Sequence, residues 1–229
     1  MKYKNIVIFG GTGFIGQHFA KYLIDNELAE TIWLADIRKP TPYKVHSLER
    51  HFDQRVRYAE VDVREHILHD ELPTTDVSLV LNLAAVHREP GHEPHEYYET
   101  NLLGAENVCN WAEGVGCKTI LFTSSISPYG PTESEKTEES LPVPLTPYGG
   151  SKLAAEKIHL AWQNKYSDDR RLVIVRPGVV FGPGEGGNVS RLIKAVLHGL
   201  FFYMGNRETR KAGGYVKELC HTIDWVLEK

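Results

Sequence analysis

Long apolar runs are missing from this sequence. No stretch approaches the roughly 20 residues that a membrane-spanning helix needs, so no segment is expected to enter a bilayer. An excess of positive charge is missing too. Lys and Arg number 26 against 30 Asp and Glu, a formal charge of −4, and no segment is strongly basic. That argues against nucleic acid as a partner. Cysteine is scarce: Cys109, Cys117 and Cys220 form an odd set without C-x-x-C spacing. They read as reduced thiols of an intracellular, cytoplasmic protein. There is no internal repeat and no low-complexity segment. The chain enters a strand pattern within its first few residues, so no signal peptide is expected. His87, His92 and His95 lie close together, but Pro90 and Pro94 rule out helical i, i+4 ligation. The segment reads as a solvated loop beside a substrate mouth, where His87 could touch substrate, and no metal site is expected.

What is present is ample for a large core. The chain has 229 residues, 41% of them apolar, enough for one core or one core with a smaller lobe. Short apolar runs at residues 5–9, 31–35, 56–61, 77–81, 119–123 and 172–175 read as strands. Longer amphipathic runs at 14–26, 46–52, 65–72, 96–114 and 148–166 read as helices. This alternation predicts an α/β fold of Rossmann type, a doubly wound parallel sheet with helices on both faces, because parallel strands need crossovers. Residues 133–147 are polar and proline-rich and read as a loop over the carboxyl edge of the sheet, where such folds bind ligands. Residues 182–188 read as a glycine-rich loop, 189–200 as a helix, 201–214 as irregular, and 215–227 as a short strand leading into a helix. The division expected is a dinucleotide-binding domain over residues 1–180 and a partial substrate-binding lobe over 181–229.

The first strand runs into Gly10-Gly11-Thr12-Gly13-Phe14-Ile15-Gly16. A strand, a tight glycine turn and a helix start form the arrangement that holds a dinucleotide pyrophosphate. Gly10 permits the turn, Gly13 lets the backbone approach the phosphates, and Gly16 lets the helix pack closely. Free N–H groups at the helix start, those of Phe14, Ile15 and Gly16, then meet the phosphate charge. The plain alternative is an ordinary glycine turn. Asp36 ends the second strand about 20 residues further on, where a carboxylate would accept from the adenosine ribose and favour NAD over NADP. Arg38 works against that preference, since a guanidinium can hold a 2′-phosphate. Asp62-Val63 closes the third strand and could border the adenine, or simply form a turn.

Tyr148 and Lys152 are spaced i, i+4, on one face of a helix. An ammonium beside the phenol is expected to lower its pKa, so that the tyrosine takes a proton from a substrate hydroxyl while hydride leaves for the nicotinamide. A chance Tyr/Lys pair on an amphipathic helix is the alternative.

Taken together, the chain resembles the extended short-chain dehydrogenases/reductases of the NAD-dependent epimerase/dehydratase family. The matching residues are Gly10, Gly13 and Gly16, Asp36, Asp62-Val63, Asn82-Leu83-Ala84-Ala85, Asn101, Thr123-Ser124-Ser125 with Tyr129-Gly130, Tyr148 with Lys152, Ser151, Glu156 and Arg176-Pro177. The resemblance implies roles. Tyr148 is the acid/base. Lys152 holds the nicotinamide ribose and tunes Tyr148. Ser125 bonds the reacting oxygen, with Ser124 as the neighbouring alternative. Leu83, Ala84 and Ala85 line the cofactor, Pro177 sits near the nicotinamide amide, and Asn101 supports the geometry from a helix.

The reaction is narrowed by what stands near Tyr129. Dehydratases of the family usually carry a Glu two residues before the Tyr-Gly pair; here that residue is Ser127, preceded by Ile126. With no local carboxylate, the resemblance implies an NAD-dependent epimerase of a nucleotide sugar, often at C4, in a homodimer. The alternatives are a reductase or dehydrogenase of another alcohol/ketone pair, and a non-catalytic cofactor-binding module. Leu153, Ile158, Leu160 and Trp162 could serve the dimer or the core. Two departures stand out. Arg176-Pro177-Gly178 is followed by Val179, where sugar-nucleotide enzymes often carry a diphosphate-binding Asn, and Pro128 replaces a small branched residue. Arg191, Lys194 and Arg207 are candidates to meet a diphosphate instead. Family members usually continue roughly 80 residues past the match to residues 214–219, so the substrate lobe is expected to be incomplete and turnover poor.

Overall fold

The sheet that carries the molecule begins with a run of fully buried side chains, Ile6, Val7, Ile8 and Phe9. Successive side chains on a strand point to opposite faces. Ile6 and Ile8 join one core cluster, while Val7 and Phe9 join another on the far side. A strand buried on both faces reads as a continuous apolar run because it sits at the centre of a parallel sheet. The computed structural model describes residues 1–40, 51, 54–67, 72–132, 134–202, 207–208 and 210–229.

Among these residues, the main sheet holds β1 (Tyr3–Phe9), β2 (Ala29–Asp36), β3 (Val56–Glu60), β4 (Val77–Asn82), β5 (Thr119–Thr123) and β6 (Arg171–Val175), all parallel. Their order is β3-β2-β1-β4-β5-β6. The order reverses direction between β1 and β4, and a crevice opens beyond the carboxyl ends of such a pair. Phe9 stands opposite Ala35 of β2 and Asn82 of β4, so the three strands deliver their following loops to one level.

Helices α1 (Phe14–Asp25) and α6 (Val216–Glu228) cover one face. Val216, Cys220, Ile223 and Leu227 repeat at the helical period and pack with Phe19 and Leu23 of α1. The other face carries α2 (Pro94–Tyr98), one π turn (Glu99–Leu103), α3 (Gly104–Gly114) and α4 (Pro147–Asn164). Val108, Trp111 and Ala112 of α3 and Trp162 of α4 close that side. Beyond the sheet, β7 (Val179–Phe181) pairs in parallel with β8 (Gly213–Tyr215), flanking α5 (Asn188–Leu197).

Every strand of the expected βαβ series is present, with ends shifted by at most two residues. The single helix expected over 96–114 is divided by the π turn. β7 and a short 3-10 turn (Ser127–Tyr129) were not foreseen. The helix expected over residues 65–72 is not formed at 65–67. There the Asp62 carboxylate accepts from Arg64 N (3.0 Å), and Glu65 N bonds to Asp62 O (3.1 Å), closing a turn instead. Residues 68–71, and all but one residue of the helix expected over 46–52, lie outside the described residues.

Because Ile223 is fully buried between α6 and the sheet, Ile223→Ala is expected to cost about 2–5 kcal/mol and lower the thermal midpoint by about 5–15 °C. Trp225 on the same helix is 54% exposed, and Trp225→Ala is expected to shift the midpoint by about 2 °C or less. Thermal unfolding of both variants followed by circular dichroism checks the contrast.

Candidate active site

The turn after β1 presses against the segment that follows β4. Gly10 has a φ of 73°, and a Cβ there would lie 2.7 Å from Ala84 N; only glycine fits on both counts. The amides of Gly10 and Gly11 bond to Ala35 O at 2.8 and 3.3 Å. Gly13 is the N-cap of α1, and no side chain caps it. The first-turn amides of Phe14, Ile15 and Gly16 therefore have no side-chain acceptor, and they carry the positive end of the helix dipole. A Cβ on Gly13 would meet only the Gly10 carbonyl, at 3.0 Å, which leaves its other side free for a close approach. At the end of β2 the buried Asp36 accepts from Thr12 N through Oδ2 and from Arg38 N through Oδ1, both at 3.2 Å. Leu83, Ala84 and Ala85 are half-buried and close the opposite side, with Leu83 N held by Phe9 O at 2.9 Å. An uncapped helix start, a glycine cradle and a carboxylate one strand away fit a dinucleotide's pyrophosphate and ribose. Further out, Arg64 grips Asp62 at 2.6–3.0 Å and holds its carboxyl below the usual range. The Val63 side chain is buried in the core, and its carbonyl accepts from Asn107 Nδ2 at 2.9 Å.

The second half of the site is built by the start of α4. Thr146 Oγ1 caps the helix by accepting from Gly149 N at 3.1 Å, and Pro147 occupies the first turn. Gly149 and Gly150 let that turn sit tightly: a Cβ on either would lie 2.8 Å from Ser127 O or 2.7 Å from Tyr98 Oη. Tyr148 is thereby brought near Ser125, whose hydroxyl acts to lower the pKa of the phenol. Ser125 Oγ also donates to Ser127 Oγ at 3.1 Å. Ser124 turns the other way and donates to Glu156 Oε1 at 2.5 Å. Of the two candidate serines, only Ser125 meets the tyrosine.

One turn further, Lys152 is 2% exposed; its Nζ donates to Thr123 O at 2.9 Å and lies 4.9 Å from the Phe122 ring centroid. Burial pushes its pKa down to about 7. The Tyr148 phenol, expected to be lowered by this ammonium, is instead raised. Burial dominates, the Ser125 bond opposes it, and the Glu89 carboxylate adds to it. Lys152 does not offset this, because its Nζ is turned away onto the Thr123 carbonyl.

A polar floor lies beneath these groups. Glu156 is 1% exposed and receives Arg176 Nε (2.8 Å) and Nη2 (2.6 Å) as well as Ser124. Arg176 Nη1 also donates to Tyr129 Oη. The fully buried His159 stacks on Phe122 at 4.1 Å. Its Nδ1 donates to Ala155 O (2.8 Å) and its Nε2 accepts from Asn82 Nδ2 (3.3 Å), which is the neutral tautomer. Burial pushes its pKa down to about 4. Asn101, in the π turn, accepts from Val86 N (3.0 Å) and donates to Ser151 Oγ (2.8 Å), tying the post-β4 loop to α4. Pro177 is half-buried, and its carbonyl accepts from Ile126 N at 3.2 Å.

Four residues in this constellation carried no role in the sequence reading: Asn82, His159, Tyr97 and Glu89. Tyr97 is buried, donates to Arg88 O at 2.6 Å, and sets its ring 6.2 Å from that of Tyr148. Ser127 and not a carboxylate stands in the turn before Tyr129, and Glu89, in the loop after β4, adds its charge to the upward shift of the phenol. No spacing signal points to it, because only the folded loop joins the two.

With this geometry in hand, comparison with known proteins is specific. Residues 6–229 match the family model described as the NAD dependent epimerase/dehydratase family. An N-acetyl-alpha-D-glucosaminyl-diphospho-ditrans,octacis-undecaprenol 4-epimerase of Escherichia coli O157:H7 is 31% identical over 228 residues, covering 98% of this chain and 63% of that protein. A UDP-glucose 4-epimerase of Halalkalibacterium halodurans is 30% identical, covering 96% and 67%. The solved structure of MoeE5 in complex with UDP-glucuronic acid and NAD is 26% identical and superimposes with a TM-score of 0.80, covering 98% of this chain and 72% of that one. The chain thus spans somewhat under two thirds of the length of the first of these relatives.

The buried bases make stability pH-dependent with a definite sign. Lys152 titrates at about 7 folded against 10.5 unfolded, so the unfolded chain binds more protons between those values. Stability falls as pH drops from 10.5 to 7, and the full loss persists below. His159, at about 4 against 6.5, adds a second loss between pH 6.5 and 4. Lys152→Met is expected to raise the thermal midpoint at pH 7 by about 5 °C or more and to flatten its pH dependence from 7 to 10. Midpoints of both proteins across pH 4–10 are the measurement. A variant less stable than its parent at pH 7 contradicts the expectation.

Proposed function

The chain belongs to the NAD-dependent epimerase/dehydratase family, and from that premise we propose that it is an NAD-dependent epimerase of a nucleotide sugar. It would invert a hydroxyl-bearing carbon, C4 foremost, through a transient keto sugar. The observation that carries this reading is Lys152, buried on the Thr123 carbonyl one helical turn from Tyr148, with Ser125 two residues past Thr123 acting on the phenol and a serine rather than a carboxylate in the turn at position 127.

The NAD pyrophosphate would lie on the amides of residues 13–16 over Gly10. Asp36 would take the adenosine ribose, with Asp62 and Val63 toward the adenine. Leu83, Ala84 and Ala85 would line the channel, Lys152 the nicotinamide ribose, and Pro177 the amide. Asn101 spends its own amide on Val86 and Ser151 and serves by holding the loop to α4. When bound, NAD would supply the hydride acceptor that oxidation of the sugar carbon needs and the hydride donor that its reversal needs.

The rest is the work of the protein. Tyr148 Oη takes the proton of the reacting hydroxyl as its C–H bond breaks, leaving a C=O, and gives the proton back when hydride returns. A phenol held above its usual pKa favours the second, donating half of that cycle. Ser125 Oγ bonds the same sugar oxygen and connects the phenol to Ser127. Lys152, fixed to Thr123 O, holds positive potential under the site. Once the keto sugar has turned over, the same pair serves the other face, so no further acid or base is needed.

A reducing compartment, the cytoplasm, suits three buried unpaired thiols and belongs to the same proposal. So do the division at residue 180 and a homodimer through α3 and α4. Leu153 and Leu160 are half-buried on α4 and available to a second copy, whereas Ile158 and Trp162 pack into the core.

With NAD and UDP-glucose or UDP-N-acetylglucosamine, proton NMR is expected to show the C4 epimer without stoichiometric NADH. Tyr148→Phe is expected to lower the rate by about 10²-fold or more while NAD binding survives. NADH accumulating one for one with substrate, or a 4-keto-6-deoxy product, would make the protein a dehydrogenase or a dehydratase instead.

A further inference from the structure

The segment between β4 and α2 is pinned on either side of a short exposed stretch. Asn101 holds Val86 by both its amide and its carbonyl, at 3.0 and 3.3 Å. Tyr97 holds Arg88 O at 2.6 Å, and the same buried ring lies against Tyr148. Past Glu89 the chain is fastened again where Glu93 and Glu96 form the capping box of α2. Glu89 therefore follows directly on an anchor whose ring lies against the active-site tyrosine, and its side chain is exposed.

The charges around that mouth divide by position. Lys152, Arg88 and Arg38 act on His87, on the cofactor side. The charge of Glu89 acts on both the Tyr148 and Tyr97 phenols, and that of Glu96 acts on Tyr97 as well. A sugar presenting its C4 hydroxyl to Tyr148 presents its C5 substituent one carbon away. At that point a hydroxymethyl group and a carboxylate differ by a full negative charge.

We propose that Glu89 is the specificity-determining residue for the sugar: its carboxylate, next in the chain to the Arg88 that Tyr97 anchors against Tyr148, admits sugars that are neutral at C5 and repels uronic acids. This rests on the nucleotide-sugar reading given above. The physics is like-charge repulsion across a partly desolvated gap. At an effective dielectric near 20 and separations of about 6–8 Å it amounts to one to two orders of magnitude in affinity. Screening by salt reduces it. The same carboxylate accepts hydrogen bonds from neutral sugar hydroxyls, so the discrimination has an attractive as well as a repulsive arm.

The test uses the NAD-loaded protein and titration calorimetry with UDP-glucose, UDP-N-acetylglucosamine and UDP-glucuronic acid. The intact protein is expected to bind either neutral sugar at least about tenfold more tightly than the uronate at low salt, with the gap narrowing at 0.5 M salt. In Glu89→Gln the ratio of the two affinities should fall to within about threefold of unity, and in Glu89→Lys it should reverse. A loosened loop would weaken all three ligands together and leave the ratio where it was. An unchanged ratio in both variants, or equal binding of uronate and neutral sugar by the intact protein, overturns the role of Glu89 and leaves the epimerase reading standing. Binding of NAD with no binding of any of the three UDP-sugars overturns both.

Discussion

Everything in the site hangs on one bond, from Lys152 Nζ to the carbonyl of Thr123, the last residue of β5. An amine buried this deeply is tolerated only if its donors find acceptors, and a sheet-edge carbonyl supplies one. The bond fixes the rotation of α4 about its axis. Tyr148 lies one turn earlier on the same face, and Ser125 lies two residues beyond Thr123. Setting Lys152 on that carbonyl therefore sets the phenol on the serine. The strand ends are locked in turn, since Ser124 N bonds to Val175 O at 2.8 Å and Ile126 N to Pro177 O at 3.2 Å. Chemistry is placed by backbone atoms of β5 and β6, which have nowhere else to go.

The face of α4 that meets the sheet is polar where a packing helix is ordinarily apolar. Tyr148, Lys152, Glu156 and His159 follow one another at helical spacing, and the last three are buried. Each has an answering partner: Thr123 O for Lys152, Arg176 and Ser124 for Glu156, Ala155 O and Asn82 for His159. Such a network adds little net stability, yet losing one partner strands a buried charge at a cost of about 3–5 kcal/mol. Its effect is to hold the reacting groups in one arrangement. The burial that makes Lys152 costly to the fold is the same burial that leaves it with a pKa near 7, where its proton is exchangeable. Stability has been exchanged for a poised site, a common pattern at functional centres.

What the sequence disclosed were features dictated by local geometry. Gly10 is legible because a positive φ against Ala84 admits no side chain. The strands are legible because a two-sided core demands continuous apolar runs, and Tyr148 with Lys152 because a helix fixes i, i+4. The errors have equally physical sources. The phenol's pKa was misjudged because spacing tells that two groups share a helix face, and not that one of them points below the other into the sheet. The helix expected from 65 is only a turn at 62–65, closed by Glu65 N on Asp62 O with Asp62 also holding the Arg64 amide, and no local spacing tells such a capped turn from a helix start. The π turn at Asn101 has no periodic signature at all. It exists because its amide is drawn to Val86 and Ser151 at once, and that competition is visible only when three distant segments have met.

The division between the legible and the hidden coincides with a division in the chemistry. On the proposed function, the floor made by β5, β6 and α4 would meet the oxygen and carbon that change oxidation state, and those are common to every hydroxyl-bearing sugar. On the same reading, the remainder of a sugar would be met from the rim, where the loop after β4 is one contributor. That loop is tied down at Val86 and Arg88, through Asn101 and Tyr97, and next only at the cap of α2, by Glu96. Residues beyond those ties can change without moving α4, so substrate preference can drift while the catalytic geometry stays fixed. A floor constrained by its own buried hydrogen bonds must keep its residue types, and so it can be read from a single sequence. A rim constrained by two anchors need not, and so the choice of sugar has to be read from where the folded loop puts its charge.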